Sequence, residues 1–181
     1  MCHHRKKLRT LNIIGAFSVL VSDRIQKAIS RQSILSTQES IALIQIGLFS
    51  PTFHNLQTTL QLTQSATSRL VNKLVEKQFI IKDSSSDDLR EKSLRLTNKS
   101  EQLVNEILSS RYESLESMLH TLTPEETSTF LKIISKILEH SIQCEIDSDI
   151  TCRMCDLCHC PQDKCPAQPN KDKYILPDHK K

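Results

Sequence analysis

The sequence predicts a mainly α-helical fold with one small β-hairpin. Apolar residues recur at steps of three and four over most of the chain, which is the spacing of amphipathic helices. The chain has only 2 glycines, and no proline lies between Pro51 and Pro124, so few residues interrupt these helices. Only residues 79–96 have the alternating pattern and the polar turn of a hairpin.

Length and composition fit one domain with an appended segment, or two small domains, in 181 residues. The net charge of +3 permits nucleic-acid binding without requiring it. An odd count of 7 cysteines argues against a secreted disulfide scaffold and favours a cytoplasmic thiol or metal site. The apolar run at 11–21 is too short to span a membrane and is followed by no cleavage site, so no membrane association is expected.

The first half of the chain contains four predicted helices. A long helix near 7–30 follows from one apolar stripe, which comprises Leu8, Leu11, Ile14, Phe17, Val21, Ile25 and Ile29. Ser36 and Glu39 form the pattern of a capping box at the start of a second helix. Thr52 then caps a short third helix, and Thr63 caps a fourth.

The second half begins with the hairpin. Residues 79–82 and 92–96 are its predicted strands, and the polar residues 83–88 are its turn. Two helices follow, near 98–121 and from Thr123 to about 145. A proline at the first helical position marks the start of the second of these helices. We therefore expect a folded domain at 1–145, a Cys-rich segment at 146–167 and a disordered tail at 168–181.

The fourth helix has the pattern of a DNA recognition helix, with an apolar back and short polar or basic side chains near its N-terminus. Asn and Gln pair with adenine, Arg pairs with guanine, and Ser and Thr hold phosphates. The candidate DNA-contacting residues are Gln64, Ser65, Thr67, Ser68, Arg69 and Asn72. Lys73 lies one turn further along and is a candidate phosphate contact.

Charged residues of the hairpin extend this candidate site. Arg90 would reach a minor groove or a phosphate, Asp88 would orient it, and Lys92 and Arg95 would add charge against the DNA backbone. The order of short helix, tight turn, polar-faced helix and charged hairpin favours a winged helix-turn-helix over an amphipathic helix and hairpin that are merely solvated.

Three segments, 62–66, 68–71 and 88–97, resemble the signature of the MarR family of winged-helix transcriptional regulators. The resemblance covers about 7–145, with its specific motifs within 52–97. It implies an obligate homodimer built from helices 7–30 and 98–145, with a winged helix-turn-helix at 37–97. Such a dimer binds a pseudo-palindromic operator in double-stranded DNA. Many members are repressors that a small-molecule effector or cysteine oxidation releases.

The chain departs from this family at Gln61, Gln78 and Ser100, where such proteins usually have glycine, and at Gln57, where they have a small residue. If Gln61 or Gln78 adopts a left-handed conformation, each carries about 1 kcal/mol of strain.

The C-terminal segment resembles the ending of several MarR-like proteins. That resemblance points to one set of thiols, comprising Cys152, Cys155, Cys160 and Cys165, with Cys158 as a substitute. Four close thiolates can bind one zinc ion tetrahedrally. Three alternatives stay open: a redox-sensing thiol pair, an iron–sulfur cluster, and a flexible tail of inert thiols.

The sequence contains no Gly-rich phosphate loop, Gly-x-Ser-x-Gly elbow or His-Glu-x-x-His pattern, so no enzyme is expected. The prediction is a homodimeric DNA-binding repressor modulated by metal or thiol oxidation at its Cys-rich segment. The alternative is a metal- or redox-handling protein whose helical domain is a dimer scaffold or an interaction module.

Overall fold

The computed structural model describes residues 2–32, 35–82, 93–156, 159–160 and 165–168. The elements in chain order are α1 (Cys2–Gln32), α2 (Thr37–Phe49), α3 (Phe53–Leu60), α4 (Gln64–Glu76), β1 (Ile80–Lys82), β2 (Leu94–Leu96), α5 (Asn98–Leu119), α6 (Pro124–Ser141) and α7 (Glu145–Cys152). The predicted mainly helical fold with one hairpin is confirmed. Helix α7 was not predicted, and it lies at the start of the Cys-rich segment.

Side chains fix the helix starts as the sequence predicted. The Ser36 amide donates to the Glu39 carboxylate at 2.7 Å, and the Glu39 amide donates back to the Ser36 hydroxyl at 3.3 Å. Thr123 and Glu126 form the same reciprocal pair at the start of α6. Each box satisfies backbone N–H groups that would otherwise have no partner in the first turn.

The hairpin pairs β1 and β2 antiparallel, with Ile80 opposite Leu96 and Lys82 opposite Leu94. The Leu94 amide also donates to the Pro51 carbonyl at 3.1 Å, so β2 is held against the chain that enters α3. The hairpin tip, with the candidate residues Asp88, Arg90 and Lys92, lies outside the described residues.

The core centres on α2, which packs against α3, α5 and β2. Leu43 and Ile44 of α2 are fully buried with Leu56 of α3, Leu74 of α4 and Ile107 of α5. Each such side chain contributes about 1.5–3 kcal/mol when it leaves water. A Cβ atom at Gly47 would lie 2.8 Å from Leu96 Cδ1, so the glycine allows α2 to lie close to β2.

Gln61 and Gln78 adopt the left-handed conformation, with φ values of 54° and 58°. The condition stated for strain at the missing glycines is therefore met at these two positions. Ser100 differs, because it lies inside α5 and is fully buried. Its hydroxyl accepts from the Thr97 amide at 3.0 Å and contacts the Phe79 carbonyl, which are contacts that glycine cannot make.

Helices α1 and α6 lie at the periphery of the domain. The last turns of α1 pack on α5 and bury Ala28 and Ile29, whereas side chains 6–20 are exposed. Phe17 and Phe130 join α1 to α6 edge to face, with ring centroids 5.8 Å apart. None of the helices in the described ranges is long and apolar enough to cross a membrane.

Replacing Gln61 or Gln78 by Gly should raise the free energy of unfolding by about 0.5–1 kcal/mol, because glycine adopts a left-handed φ without strain. Urea unfolding at one fixed protein concentration measures the change. Gln57→Gly is the matched control inside helix α3 and should cost about 0.5–1 kcal/mol. Equal effects at all three positions would contradict the strain at Gln61 and Gln78.

Candidate nucleic-acid interface

Helix α4 presents one polar face to solvent. Val71 and Leu74 are buried and fix its opposite side to the core, and the Thr63 hydroxyl caps its start by accepting from the Ala66 amide at 3.3 Å. The outward side chains are Gln64, Ser65, Arg69, Asn72 and Lys73, which are exposed, and Ser68, which is half-buried. Steps of three and four place most of them on one helix face.

The prediction that Thr67, a candidate DNA-contacting residue, lies on the outer face of α4 is wrong. Thr67 is fully buried, and its hydroxyl donates to the Thr63 carbonyl at 3.0 Å. It precedes Val71 by four residues and Leu74 by seven, so it belongs to the buried stripe of α4. Back-bonding to the carbonyl one turn earlier satisfies the hydroxyl and allows this polar side chain to enter the core.

A buried carboxylate fixes the C-terminal end of α4. Glu39 of α2 is 2% exposed, and its Oε1 atom lies 3.1 Å from Lys73 Nζ and 3.0 Å from Lys77 Nζ. Although burial alone would raise the pKa of Glu39, hydrogen bonds from Ser36, Lys77 and Lys73 hold the pKa at about 2. The expected phosphate contact of Lys73 would therefore compete with this ion pair.

A further basic residue, Lys82, lies beside α4. Lys82 Nζ donates to Asn72 Oδ1 at 3.0 Å, so the hairpin and the helix are joined through one of the candidate base-contacting side chains. Arg95 is exposed on β2. Sequence reasoning missed Lys82 and the role of Glu39, because both depend on contacts between separate elements.

The described part of the Cys-rich segment packs on the same domain. Helix α7 contacts α3, the side chain of Met154 packs against the core, and Ala167 is buried. The side-chain amide nitrogen (Nε2) of Gln45 in α2 donates to the Arg153 backbone carbonyl at 3.0 Å. This docking argues against the alternative of a freely flexible tail for residues 145–156, 159–160 and 165–168.

The docked segment also contacts α5. Within the segment, His159 Nδ1 lies 2.8 Å from Asp156 Oδ2. The Tyr112 and His159 rings meet edge to face at 5.8 Å. Burial and the nearby Asp156 charge raise the pKa of Tyr112.

The four thiols predicted as a set, Cys152, Cys155, Cys160 and Cys165, are all partly buried. A side-chain hydrogen bond from Cys152 and the Arg111 charge lower the pKa of Cys155 to about 6, while the bond to Cys155 and burial raise the pKa of Cys152. Burial and Cys165 raise the pKa of Cys160.

These thiols are free cysteines. Within the part of the chain that the structure describes, no group of three or more His, Cys, Asp or Glu side chains is found that could hold a metal ion as it stands. Cys158, the expected substitute ligand, lies outside the described residues.

Solved structures of known proteins share the fold of this chain. A solved MarR family protein from Bacillus stearothermophilus superposes with a TM-score of 0.64 at 18% identity, over 76% of this chain and 96% of that one. A Staphylococcus aureus MepR mutant bound to an oligodeoxyribonucleotide superposes with a TM-score of 0.54 at 19% identity, over 72% and 96%. The chain has the MarR fold.

The sequence match covers a smaller part of the chain than the structural match does. No family model matches this sequence. An uncharacterised HTH-type transcriptional regulator of Bacillus subtilis (strain 168), YwhA, is 28% identical over 88 residues, which are 49% of this chain and 63% of that relative. The match thus spans less than two thirds of the relative, while the MarR fold itself matches nearly the whole length of the solved structures.

Replacing Glu39 by Ala should lower the free energy of unfolding by about 1–3 kcal/mol, because two lysines and the Ser36 amide lose one buried partner. Because the folded pKa is about 2 and the ordinary value is 4.5, this contribution is complete above pH 4.5 and disappears as the pH falls towards 2. Urea unfolding across that pH range measures it.

Glu126→Ala is the matched control, since Glu126 closes a capping box in α6 and is exposed. It should cost about 0.5–1 kcal/mol. Equal losses in the two variants would show that only the capping box of Glu39 matters.

Proposed function

We propose that this protein is a MarR-type transcriptional regulator that reads double-stranded DNA with α4. The observation that carries the proposal is the exposed polar stripe of α4 on a helix whose opposite side is fixed in the core. The first turns of a recognition helix contact base edges in the major groove. Gln64, Ser65, Ser68 and Arg69 occupy that position here.

The proposed DNA contacts are of two kinds, those to bases and those to phosphates. Arg69 is exposed and suits a bidentate contact with guanine. Asn72 suits a bidentate contact with adenine once Lys82 no longer donates to the Asn72 side-chain oxygen. Lys82 and Lys73 then become free for phosphates, which orient the helix without reading sequence. The predicted roles of Arg90, Asp88 and Lys92 in the hairpin tip are part of the same proposal.

The names of similar proteins support this function. One relative is described as an HTH-type transcriptional regulator, and one structure of the same fold is bound to an oligodeoxyribonucleotide. We further propose a repressor that is not an enzyme, acts in the cytoplasm and responds to a small-molecule effector or to its cysteine segment.

A second copy of this chain is the proposed partner of α1 and α6. Exposed apolar side chains line both helices, among them Leu11 and Ile14 of α1 and Leu131 and Ile137 of α6, which are 54%, 58%, 63% and 57% exposed. Apolar surface of this extent marks an interaction site in a soluble protein. A two-fold dimer through these helices would present two copies of α4 to adjacent half-sites of a pseudo-palindromic operator.

Arg69→Ala should weaken binding to the preferred genomic fragment by about 10–100-fold and relax its sequence preference, because one bidentate base contact is worth about 1–3 kcal/mol. Selection from sheared genomic DNA identifies the fragment, and fluorescence anisotropy measures the affinity. Lys132→Ala, an exposed cation on α6, is the control and should bind as the parent protein does. A parent protein that selects no fragment would refute the proposed function.

A double change of Leu131 and Ile137 to Glu should dissociate the dimer, because burying carboxylates in an apolar interface is unfavourable. Analytical ultracentrifugation at micromolar concentration gives the mass. Ile146→Glu, which alters an equally exposed apolar residue on α7, should leave the dimer intact. A monomeric parent protein, or dissociation by the control alone, would exclude an interface on α6.

A further inference from the structure

Two lysines at the end of α4 share the buried carboxylate of Glu39. Lys73 Nζ lies 3.1 Å and Lys77 Nζ lies 3.0 Å from the same oxygen, Oε1, while the Ser36 amide donates to Oε2 at 2.7 Å. The two lysines are four residues apart, so their side chains leave the helix on the same side. Because one carboxylate faces two ammonium groups, one lysine can leave while the other still pairs with the buried charge.

The surroundings of the two lysines indicate which one stays. The side chain of Lys77 is 28% exposed, and its backbone is fixed at the C-cap of α4, where its amide donates to the Lys73 carbonyl at 3.1 Å. A cation at this end of a helix is also favoured by the helix dipole. The side chain of Lys73 is 56% exposed and lies one turn after Arg69, beside the exposed Asn72. Lys77 is therefore the lysine held on Glu39, and Lys73 is the lysine that a ligand of α4 can reach.

We propose that Lys77 holds the charge of Glu39 so that the Lys73 ammonium can move from Glu39 to a DNA phosphate. Lys77 is then a positioning residue, which acts on DNA only through Lys73. Without Lys77, the departure of Lys73 would leave the Ser36 amide as the remaining partner of Glu39 in the described part of the chain. A buried carboxylate with so few partners is unfavourable, so Lys73 would stay on it. The transfer to phosphate rests on the proposed function, whereas the sharing of Glu39 does not.

The salt dependence of DNA binding by the full chain tests the transfer. Fluorescence anisotropy on the selected genomic fragment gives the slope of log affinity against log salt concentration, and each lost phosphate contact reduces that slope by about 1. Lys77→Met keeps the aliphatic stem and should reduce the slope by about 1, because Lys73 then remains on Glu39. Lys73→Met should reduce the slope equally, and the double variant should reduce it no further. Lys132→Met on α6 is the control and should keep the parent slope.

Two further variants separate positioning from direct contact. Adding Glu39→Gln to Lys77→Met should restore the parent slope, because the charge that retains Lys73 is gone while glutamine can still close the capping box. Lys77→Arg keeps the cation and should bind as the parent does. A reduction of about 2 in the Lys73→Met, Lys77→Met double variant would overturn the proposal, since it means that Lys77 contacts a phosphate itself. A Glu39→Gln change that restores nothing would also overturn it. Circular dichroism confirms that each variant is folded.

Acylation of lysines in the free full chain, measured by mass spectrometry, tests the sharing of Glu39 without DNA. The neutral amine is the form that reacts, and a carboxylate beside it favours the ammonium form. Lys77→Met should therefore slow acylation of Lys73 by at least about twofold, and Glu39→Gln should accelerate it. An unchanged rate at Lys73 in Lys77→Met would overturn the shared carboxylate. A parent protein that binds no DNA would overturn the transfer together with the proposed function, while acylation still decides whether Lys77 holds Glu39.

Discussion

The position of α4 depends on one buried carboxylate, that of Glu39. It closes the capping box at the start of α2 and pairs with Lys73 and Lys77 near the end of α4. Removing a carboxylate from water is unfavourable unless several donors replace the lost hydration, and here one amide and two ammonium groups do so. A single side chain therefore sets both where α2 begins and how the C-terminal end of α4 lies against it.

This arrangement joins the stability of the core to the geometry of the polar face. Lys73 is more than half exposed although its ammonium is paired, so it stands between the core carboxylate and any phosphate at the surface. At the hairpin, Lys82 is held by Asn72 in a comparable way. Both lysines are kept close to the helix, which under the proposed function would reduce the side-chain entropy lost when they bind phosphates.

Local signals in the sequence were sufficient for most of the fold. Capping residues such as Ser36 and Thr123 fix helix starts through contacts within three residues, so the pattern alone identifies them. Thr67 was predicted to be exposed because it is a polar residue. It is buried because it lies in the apolar stripe of α4 and its hydroxyl bonds to the Thr63 carbonyl. Helix α7 was missed because cysteine and aspartate are poor helix formers, and its contact with α3 is invisible along the chain.

The same long-range contacts give the Cys-rich segment a physical route to α4. Helix α3 ends at Leu60 and is capped by Gln61, whose backbone amide donates back to the last turn of α3, so this turn has little freedom to absorb a displacement. Under the proposed function, a change in how α7 packs on α3 would be passed on to the start of α4, where the candidate base-contacting residues lie. In the proposed two-fold dimer the same displacement would occur at both half-sites, and contacts that depend on register would weaken together. A coupling of about 1–3 kcal/mol between segment and interface is enough for regulation, and small differences in docking can provide it.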